Sequence, residues 1–416
     1  MVFQAGGSAL SRLKQRLSGS SGPKAESAEW QTLVFDLYDK VSDAVKELTD
    51  HDVFLVYGSL LGAVREGGFL SHDYDFDCAY VSGHTDPHFV RLEFTALAFE
   101  LQRRGFNVEG RYTCIHIWDA DRKDRIDLYY LYFDNEGVLQ FPFGVAGVID
   151  FVVEDWQGTR EVLFSGKNVL VPSNAEKLVE VMYGPNWPIP DLNWDWGQKR
   201  RIRSPTGRML RRDALRLSWQ DFYKFNRFDS PSSFALFVSK TIQLPGRVVD
   251  IGCGDGRDGE YFAGLGLEVH GLDWSENALE IASGRVPGGS FSVVNFNDGS
   301  DAVASAIRTS RSVTPTLFYG RFLLHAIFVK AQEDLLNAIS DVAVPGDCIA
   351  LEFRGLADAD RPHNRPWMVY RRFINPEQVR EQLGERGYEI VSDVGGTGWS
   401  PLGKEDPYLH RIIARR

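Results

Sequence analysis

Cysteine is scarce in this chain of 416 residues: there are four, Cys78, Cys114, Cys253 and Cys348, and none stands in a C-x-x-C pair. That spacing excludes a cysteine-rich zinc site and a disulfide framework, and it suits scattered free thiols in a reducing compartment. Long apolar runs are missing too. No uninterrupted stretch approaches the roughly 20 residues needed to cross a bilayer, and the first residues lack the apolar core of a secretory signal. These absences place the protein in the cytoplasm. Positive charge is in deficit, with 46 Lys and Arg against 57 Asp and Glu and a net charge of −11. General affinity for nucleic acid, which depends on neutralising phosphates, is thereby excluded. No internal repeat is present.

What remains is ordinary globular composition, 43% hydrophobic and 25% charged, with 40 glycines available for tight backbone-led turns. The length exceeds what one core usually organises, so two domains are expected. Residues 1–28 are rich in Ser, Gly, Lys and Arg and read as a mobile tail. Within it Leu10, Leu13 and Leu17 fall at helical spacing among Arg12, Lys14 and Arg16, so a basic amphipathic helix would make peripheral contact with the inner membrane surface. A frayed leader is the plainer alternative. Residues 29–197 mix helix and strand: a helix to about Thr49, then VFLVYGSLLGAV, the acidic DYDFD, a helix around Arg91 to Gly105, and IDLYYLYF. Residues 198–217 carry Lys199, Arg200, Arg201, Arg203, Arg208, Arg211 and Arg212 and read as a basic linker. In 218–416 the strands RVVDIG, LEVHGLD, SFSVVNF, PTLFYG and DCIALEF alternate with helical stretches. The fold class expected is therefore α/β overall, an α+β domain followed by a Rossmann-like doubly wound parallel sheet.

In the second domain an apolar strand runs from Val248 through Asp250 into the turn Gly252-Cys253-Gly254-Asp255-Gly256, with a helix from about Asp258 to Gly264. The dinucleotide fingerprint would need Gly at 257, where Arg257 stands, and here an acid precedes the turn. The next strand ends in Asp273, where a carboxylate can accept both hydroxyls of a ribose. Together these segments resemble the cofactor motifs of class I S-adenosylmethionine-dependent methyltransferases over roughly 219–416. That resemblance implies S-adenosylmethionine as cofactor, with Asp250, Gly252, Gly254 and Gly256 at its methionine end and Asp273 on its ribose. Asn297 and Asp298 are candidates for its adenine, although an ordinary turn explains them equally well. After the fourth strand, Arg321 and His325 are four apart and would share a helix face directed at the methyl donor. His325 would then serve as a general base for a hydroxyl acceptor, against the alternative of a packed helix histidine. Arg354, His363, Arg365, Arg371 and Arg372 form a candidate cluster for an acceptor phosphate or carboxylate.

The first domain carries GSLLGAV-Arg65, then Asp73-Tyr74-Asp75-Phe76-Asp77, then Ile126-Asp127-Leu128 on an apolar strand. Asp75 and Asp77 are two apart, so on an extended strand they point the same way, and a divalent cation such as Mg²⁺ (or Mn²⁺) would relieve their repulsion. Asp127 on an apolar strand needs a partner, and the same cation supplies one. The segments resemble the LicD/fukutin family of nucleotidyltransferase-like proteins over roughly 30–196, including Val171-Pro172, Tyr183-Gly184-Pro185 and Trp187-Pro188. Ser71-His72 departs from the Pro-Trp found in many members. The resemblance implies transfer of a phospho-alcohol from a CDP-activated donor to a glycan or glycolipid. It also implies that Asp75, Asp77 and Asp127 are metal ligands, that Gly58 and Ser59 form the phosphate-facing turn, and that Arg65 is a phosphate contact. Asp127 would also stand beside the attacking hydroxyl.

The combined expectation is a bifunctional enzyme of surface-polysaccharide or capsule synthesis that installs a phospho-linked group and methylates an oxygen. Two rivals stand beside it: a first domain that transfers NMP, or one that only binds glycan. Release of CMP, release of pyrophosphate, or failure to bind metal separates the three.

Overall fold

Ser27 starts the first long helix by accepting the N–H of Trp30 at 3.2 Å, and the helix Ala28–Thr49 runs until Asp50 turns left-handed at φ 60°. Trp30, Val34, Leu37, Val41 and Val45 recur every three or four residues and make its buried stripe. The computed structural model describes residues 24–191, 193–202, 207–226, 228–312, 314–361, 371–402 and 405–416. Residues 24–28, expected to belong to a mobile tail, are structured. Lys24–Glu26 forms one helical turn, Ala25 is buried, and its N–H donates to the Asp73 carbonyl at 3.3 Å. The leucines at 10, 13 and 17 lie outside the described residues.

The chain divides into two compact units, Met1–Ala214 and Leu215–Arg416. In the first, β1 (Phe54–Leu55), β2 (Asp77–Ser82), β3 (Asn107–Gly110), β4 (Cys114–Trp118), β5 (Arg125–Phe133) and β6 (Leu139–Gln140) build one sheet. Its order is β1-β2-β5-β4-β3, with β6 also on β5. β2 and β5 run parallel, which the helix Pro87–Arg103 between them permits, and the other pairings are antiparallel. β5 is buried from Ile126 to Tyr132, as its apolar sequence, interrupted only by Asp127, dictates for a central strand. β7 (Thr159–Phe164) and β8 (Lys167–Pro172) form a separate hairpin.

The segment read as a basic linker is not free chain. Arg201 pairs with Val145, Gly207 accepts the Tyr130 hydroxyl at 2.6 Å, Met209 is buried, and Arg211–Phe225 is helical. Arg200 lays its guanidinium 4.5 Å from the Phe143 ring centre, so the long basic side chain covers apolar surface while its charge stays wet.

In the second unit β9 (Arg247–Ile251), β10 (Glu268–Asp273), β11 (Ser290–Val293), β12 (Thr316–Arg321), β13 (Cys348–Arg354), β14 (Glu389–Gly396) and β15 (Leu409–Arg415) form a sheet of order β11-β10-β9-β12-β13-β15-β14. β9 to β13 are mutually parallel, and β15 is antiparallel to both its neighbours. The inserted reversed strand separates this sheet from the 3-2-1-4-5-6 order of dinucleotide-binding folds. Alternation along the strands divides the core between two faces: Val249, Ile251, Phe318 and Leu351 on one, Val248, Leu317, Tyr319 and Ala350 on the other. Among the described residues no helix is long and apolar enough to cross a membrane.

Candidate functional sites

In the first unit, strand register assembles the acids. Asp77 on β2 lies opposite Asp127 on β5, and His116 on β4 lies opposite Asp127 from the other side. Asp75 precedes β2 rather than lying on it, yet Asp75, Asp77 and Asp127 each bring a carboxylate oxygen within 4.8 Å of the other two. Among the described residues this is the one such cluster. Asp77 and Asp127 are buried, while Asp75 is exposed as a residue although protein atoms crowd its carboxyl. Burial pushes the Asp77 carboxyl well up, and the charges of Asp75, Asp127 and Asp73 push it further. Burial raises Asp75 too, then the charge of Asp127. Groups that repel one another and resist ionisation fit a hard divalent cation, which would neutralise them together.

Three neighbours were not anticipated. Asp73, from the same acidic stretch, is buried, accepts the Leu70 N–H at 3.0 Å, and is pushed by burial up to about 7. His116 places Nε2 3.5 Å from Asp127 Oδ2, and Arg125 Nε donates to Asp127 Oδ1 at 2.7 Å. Nothing in the local sequence marks His116, because only cross-strand register brings it there. The Arg125 contact fixes the orientation of the Asp127 carboxylate, which suits it to a ligand position.

The helix Tyr57–Arg65 aims its N-terminus at the acids. Tyr57 adopts φ +45°, uncommon without glycine, and a β-carbon at Gly58 would lie 3.6 Å from Asp77 Oδ2. Ser59 is buried, and its hydroxyl accepts the Asp77 N–H at 2.9 Å, tying helix to strand. Arg65 pairs with Glu66 at 3.0 Å and donates to the Trp187 carbonyl at 3.3 Å, which joins the helix to the closing segment.

In the second unit, β9 delivers the chain into a turn where Gly252, Gly254 and Gly256 have φ of +78°, +55° and +76°, values that L side chains rarely adopt. The helix Arg257–Gly264 follows. Asp273 at the end of β10 accepts the Gly254 N–H through Oδ2 and the Ser275 N–H through Oδ1, both at 2.9 Å. Asp250 is buried, and its Oδ2 has no hydrogen-bond partner among the described residues. Burial pushes the Asp250 carboxyl well up, followed by the charges of Asp258 and Asp273. An orphaned buried carboxylate beside a glycine turn fits a ligand that brings positive charge and N–H donors, as the methionine end of S-adenosylmethionine does.

The substrate side differs from expectation. Arg321 and His325 do not share a helix face: Arg321 ends β12, residues 322–328 form a turn, and the next helix starts at Val329. Phe322 at φ +61° breaks the chain direction between them. Arg321 is spent on buried Glu352, at 3.1 Å, and on the Ser400 hydroxyl, at 2.7 Å. His325 is buried with Nδ1 accepting the Arg354 N–H at 3.3 Å, so the ring proton of the neutral form is assigned to Nε2. Burial, then Arg354, Arg371 and Arg372, hold its pKa well below the usual value. A buried imidazole whose Nδ1 accepts a backbone N–H fits a packing role in this turn.

The arginine cluster is likewise internal. Arg354 pairs with Asp358 and Glu405, Arg371 with Glu405, and Arg372 donates to the Leu324 and Ile327 carbonyls. His363 and Arg365 lie outside the described residues. Asn297 accepts the Phe328 N–H at 2.9 Å, and Asp298 accepts from the Asn295 side chain at 2.8 Å, so both shape a turn after β11.

The His325 geometry carries a pH prediction. Stability rises with pH wherever the unfolded chain binds more protons than the native one. His325 titrates near 6.5 when unfolded and well below that in the fold, so acidification below about 6.5 destabilises the protein through this residue. Urea midpoints of His325→Gln should therefore depend less steeply on pH between about 7 and 5 than those of the wild type. Parallel midpoint curves would remove His325 as the cause.

Residues 50–174 match the LicD/FKTN/FKRP nucleotidyltransferase domain family, and residues 219–285 match the tellurite resistance protein TehB family. No curated protein matches the chain significantly. Similar solved structures include a SAM-dependent methyltransferase from Anabaena variabilis ATCC 29413, at 17% identity and TM-score 0.40, covering 49% of this chain and 93% of that one. TehB from Haemophilus influenzae shows 14% identity and TM-score 0.36, covering 47% of this chain and 66% of that one. A magnesium protoporphyrin IX methyltransferase from Synechocystis PCC 6803 with bound SAM shows 16% identity and TM-score 0.32, covering 49% and 83%.

Proposed function

We propose that this chain, a LicD-type domain joined to a class I methyltransferase domain, is a bifunctional enzyme that modifies a surface glycan. The first domain transfers a phospho-alcohol from a CDP-activated donor to the glycan, and the second methylates an oxygen of the glycan or of the installed group. The observation that carries the first activity is the trio Asp75, Asp77 and Asp127, whose carboxylate oxygens gather within 4.8 Å of one another. These residues would hold Mg²⁺ or Mn²⁺, which offsets the charge of phosphate oxygens. The acceptor hydroxyl oxygen bonds to the phosphorus carrying the alcohol, the bond from that phosphorus to the CMP oxygen breaks, and CMP leaves with its electron pair. The proton of the attacking hydroxyl passes to solvent.

The second activity rests on the positive-φ glycine turn and Asp273. Asp250, the backbone at Gly252 and Gly254, and Asp273 would hold S-adenosylmethionine, whose sulfonium supplies the methyl group. His325 is not assigned a proton-transfer role.

The test is product analysis. The purified chain is incubated with Mg²⁺, S-adenosylmethionine and a panel of CDP-alcohols on a lipid-linked glycan, and the products are weighed by mass spectrometry. CMP should appear together with a phospho-alcohol adduct, and a further product should be one CH₂ heavier. Pyrophosphate in place of CMP would transfer the first domain to NMP chemistry, and absence of the heavier product would sink the methylation.

A further inference from the structure

The helix Arg211–Phe225 crosses the mouth of the glycine turn, and its residues from Leu215 onward belong to the second unit. Leu217 is fully buried and anchors it. On one side Arg216 pairs with Glu276 at 3.0 Å, three residues beyond Asp273. On the other, the Phe228 carbonyl accepts from Arg285 at 2.7 Å, and the Phe228 ring lies 4.4 Å from the Arg257 guanidinium. Between these ties stands Tyr223, stacked on Trp219 with ring centres 6.2 Å apart and planes 28° from parallel.

A β-carbon placed on Gly254 would lie 2.4 Å from the Tyr223 hydroxyl and 2.6 Å from its ring carbon Cζ. The phenol therefore fills the space that the missing side chain leaves. The titratable groups nearest that hydroxyl are Asp273, Asp255, Cys253 and Arg321, so it faces the carboxyl ends of β9, β10 and β12. Open α/β sheets place their ligands at those ends. Burial, then the charge of Asp273, pushes the Tyr223 pKa well up, leaving a neutral hydroxyl at ordinary pH.

We propose that Tyr223 is a methyl-donor-binding residue that closes the pocket over Gly254, so that the donor enters and leaves only when the ring swings off the glycine. This rests on the methyl-donor assignment of the glycine turn. Closure by a ring is economical, because a phenol has few rotatable bonds to immobilise and excludes water from the sulfonium. Trp219, in contact with the moving ring, reports the motion through its fluorescence.

The experiment uses the full chain and S-adenosylhomocysteine, with association and release followed by stopped-flow fluorescence and affinity by calorimetry. Tyr223→Ala should speed both association and release by about tenfold or more, equivalent to about 1.4 kcal/mol on each barrier. Tyr223→Phe keeps the ring and should stay nearer to the wild type than to Tyr223→Ala. Rates unchanged in a folded Tyr223→Ala, or in Tyr223→Leu where the alanine variant fails to fold, overturn the closure. So does Tyr223→Phe behaving like Tyr223→Ala, since a hydroxyl contact and not the ring would then matter. Failure of the wild type to bind S-adenosylhomocysteine, or undiminished affinity in Asp273→Ala, would overturn the donor site itself, an outcome distinct from binding with unaltered rates.

Discussion

Asp75→Asn combined with Asp77→Asn should abolish Mg²⁺-dependent CMP release and, in the same protein, raise thermal stability measured in EDTA. The loss follows from ligand chemistry: two neutral amides cannot supply the anionic oxygens that a hard cation prefers, and Mn²⁺ affinity should fall by at least about a hundredfold, near 2.7 kcal/mol. The gain follows from electrostatics. Burial and mutual repulsion raise the Asp75 and Asp77 carboxyls, so without a cation the native state holds charges that the unfolded chain does not crowd. A folded-state pKa above the unfolded value makes stability rise as pH falls through it, so the wild-type protein in EDTA should gain stability from these two residues on mild acidification. The double variant should lack that gain. Manganese titration by electron paramagnetic resonance and melting curves in EDTA at two pH values read both effects. Retained manganese affinity would remove the metal assignment, and a lower melting temperature would show that the two acids make structural pairs instead.

Gly252→Val should block binding of S-adenosylmethionine by about a hundredfold or more while leaving manganese affinity of the first unit intact. Gly252 adopts φ +78°, where a β-branched residue costs of order 1–3 kcal/mol in backbone strain. A β-carbon there would lie 3.3 Å from Leu323, so the turn must also shift against the residues after β12. Displacing the turn by even part of an ångström moves the Gly254 N–H away from Asp273, the bond that fixes the carboxylate at the end of β10. Calorimetric titration with the methyl donor measures the loss, and manganese binding in the same sample verifies that the first unit stays folded. Near-normal donor affinity would move the methyl donor away from this turn.

Some of this was legible in the residue string. Three acids in two separate segments, Asp75, Asp77 and Asp127, needed a shared partner, and an acid-then-glycine turn ahead of a carboxylate-ended strand marked a ligand turn, because close backbone approach and charge compensation leave signatures in residue type. The pairing of Arg321 with His325 failed for the opposite reason. A separation of four implies a shared face only on a helix, and Phe322 at positive φ ends the strand in a turn. Arg354, Arg371 and Arg372 looked available because sequence shows charge but not partners, and Glu405 and the carbonyls of the 322–328 turn come from distant positions while Asp358 is brought in by a local turn.

The order of strands and helices, the two units, and the positions that need glycine or a carboxylate are properties of the sequence by itself, since hydrophobic periodicity and backbone sterics act locally. Cross-strand neighbours are a different matter. His116 and Arg125 flank Asp127, Asp73 closes on Gly58, and Tyr223 seats itself on Gly254 only once register and packing bring residues together across up to tens of positions of chain. Sequence carries no local record of such contacts, because register depends on where the sheet as a whole finds its core. The tertiary structure therefore decided which carboxylate is pinned, which histidine is buried, and which ring stands over the glycine turn.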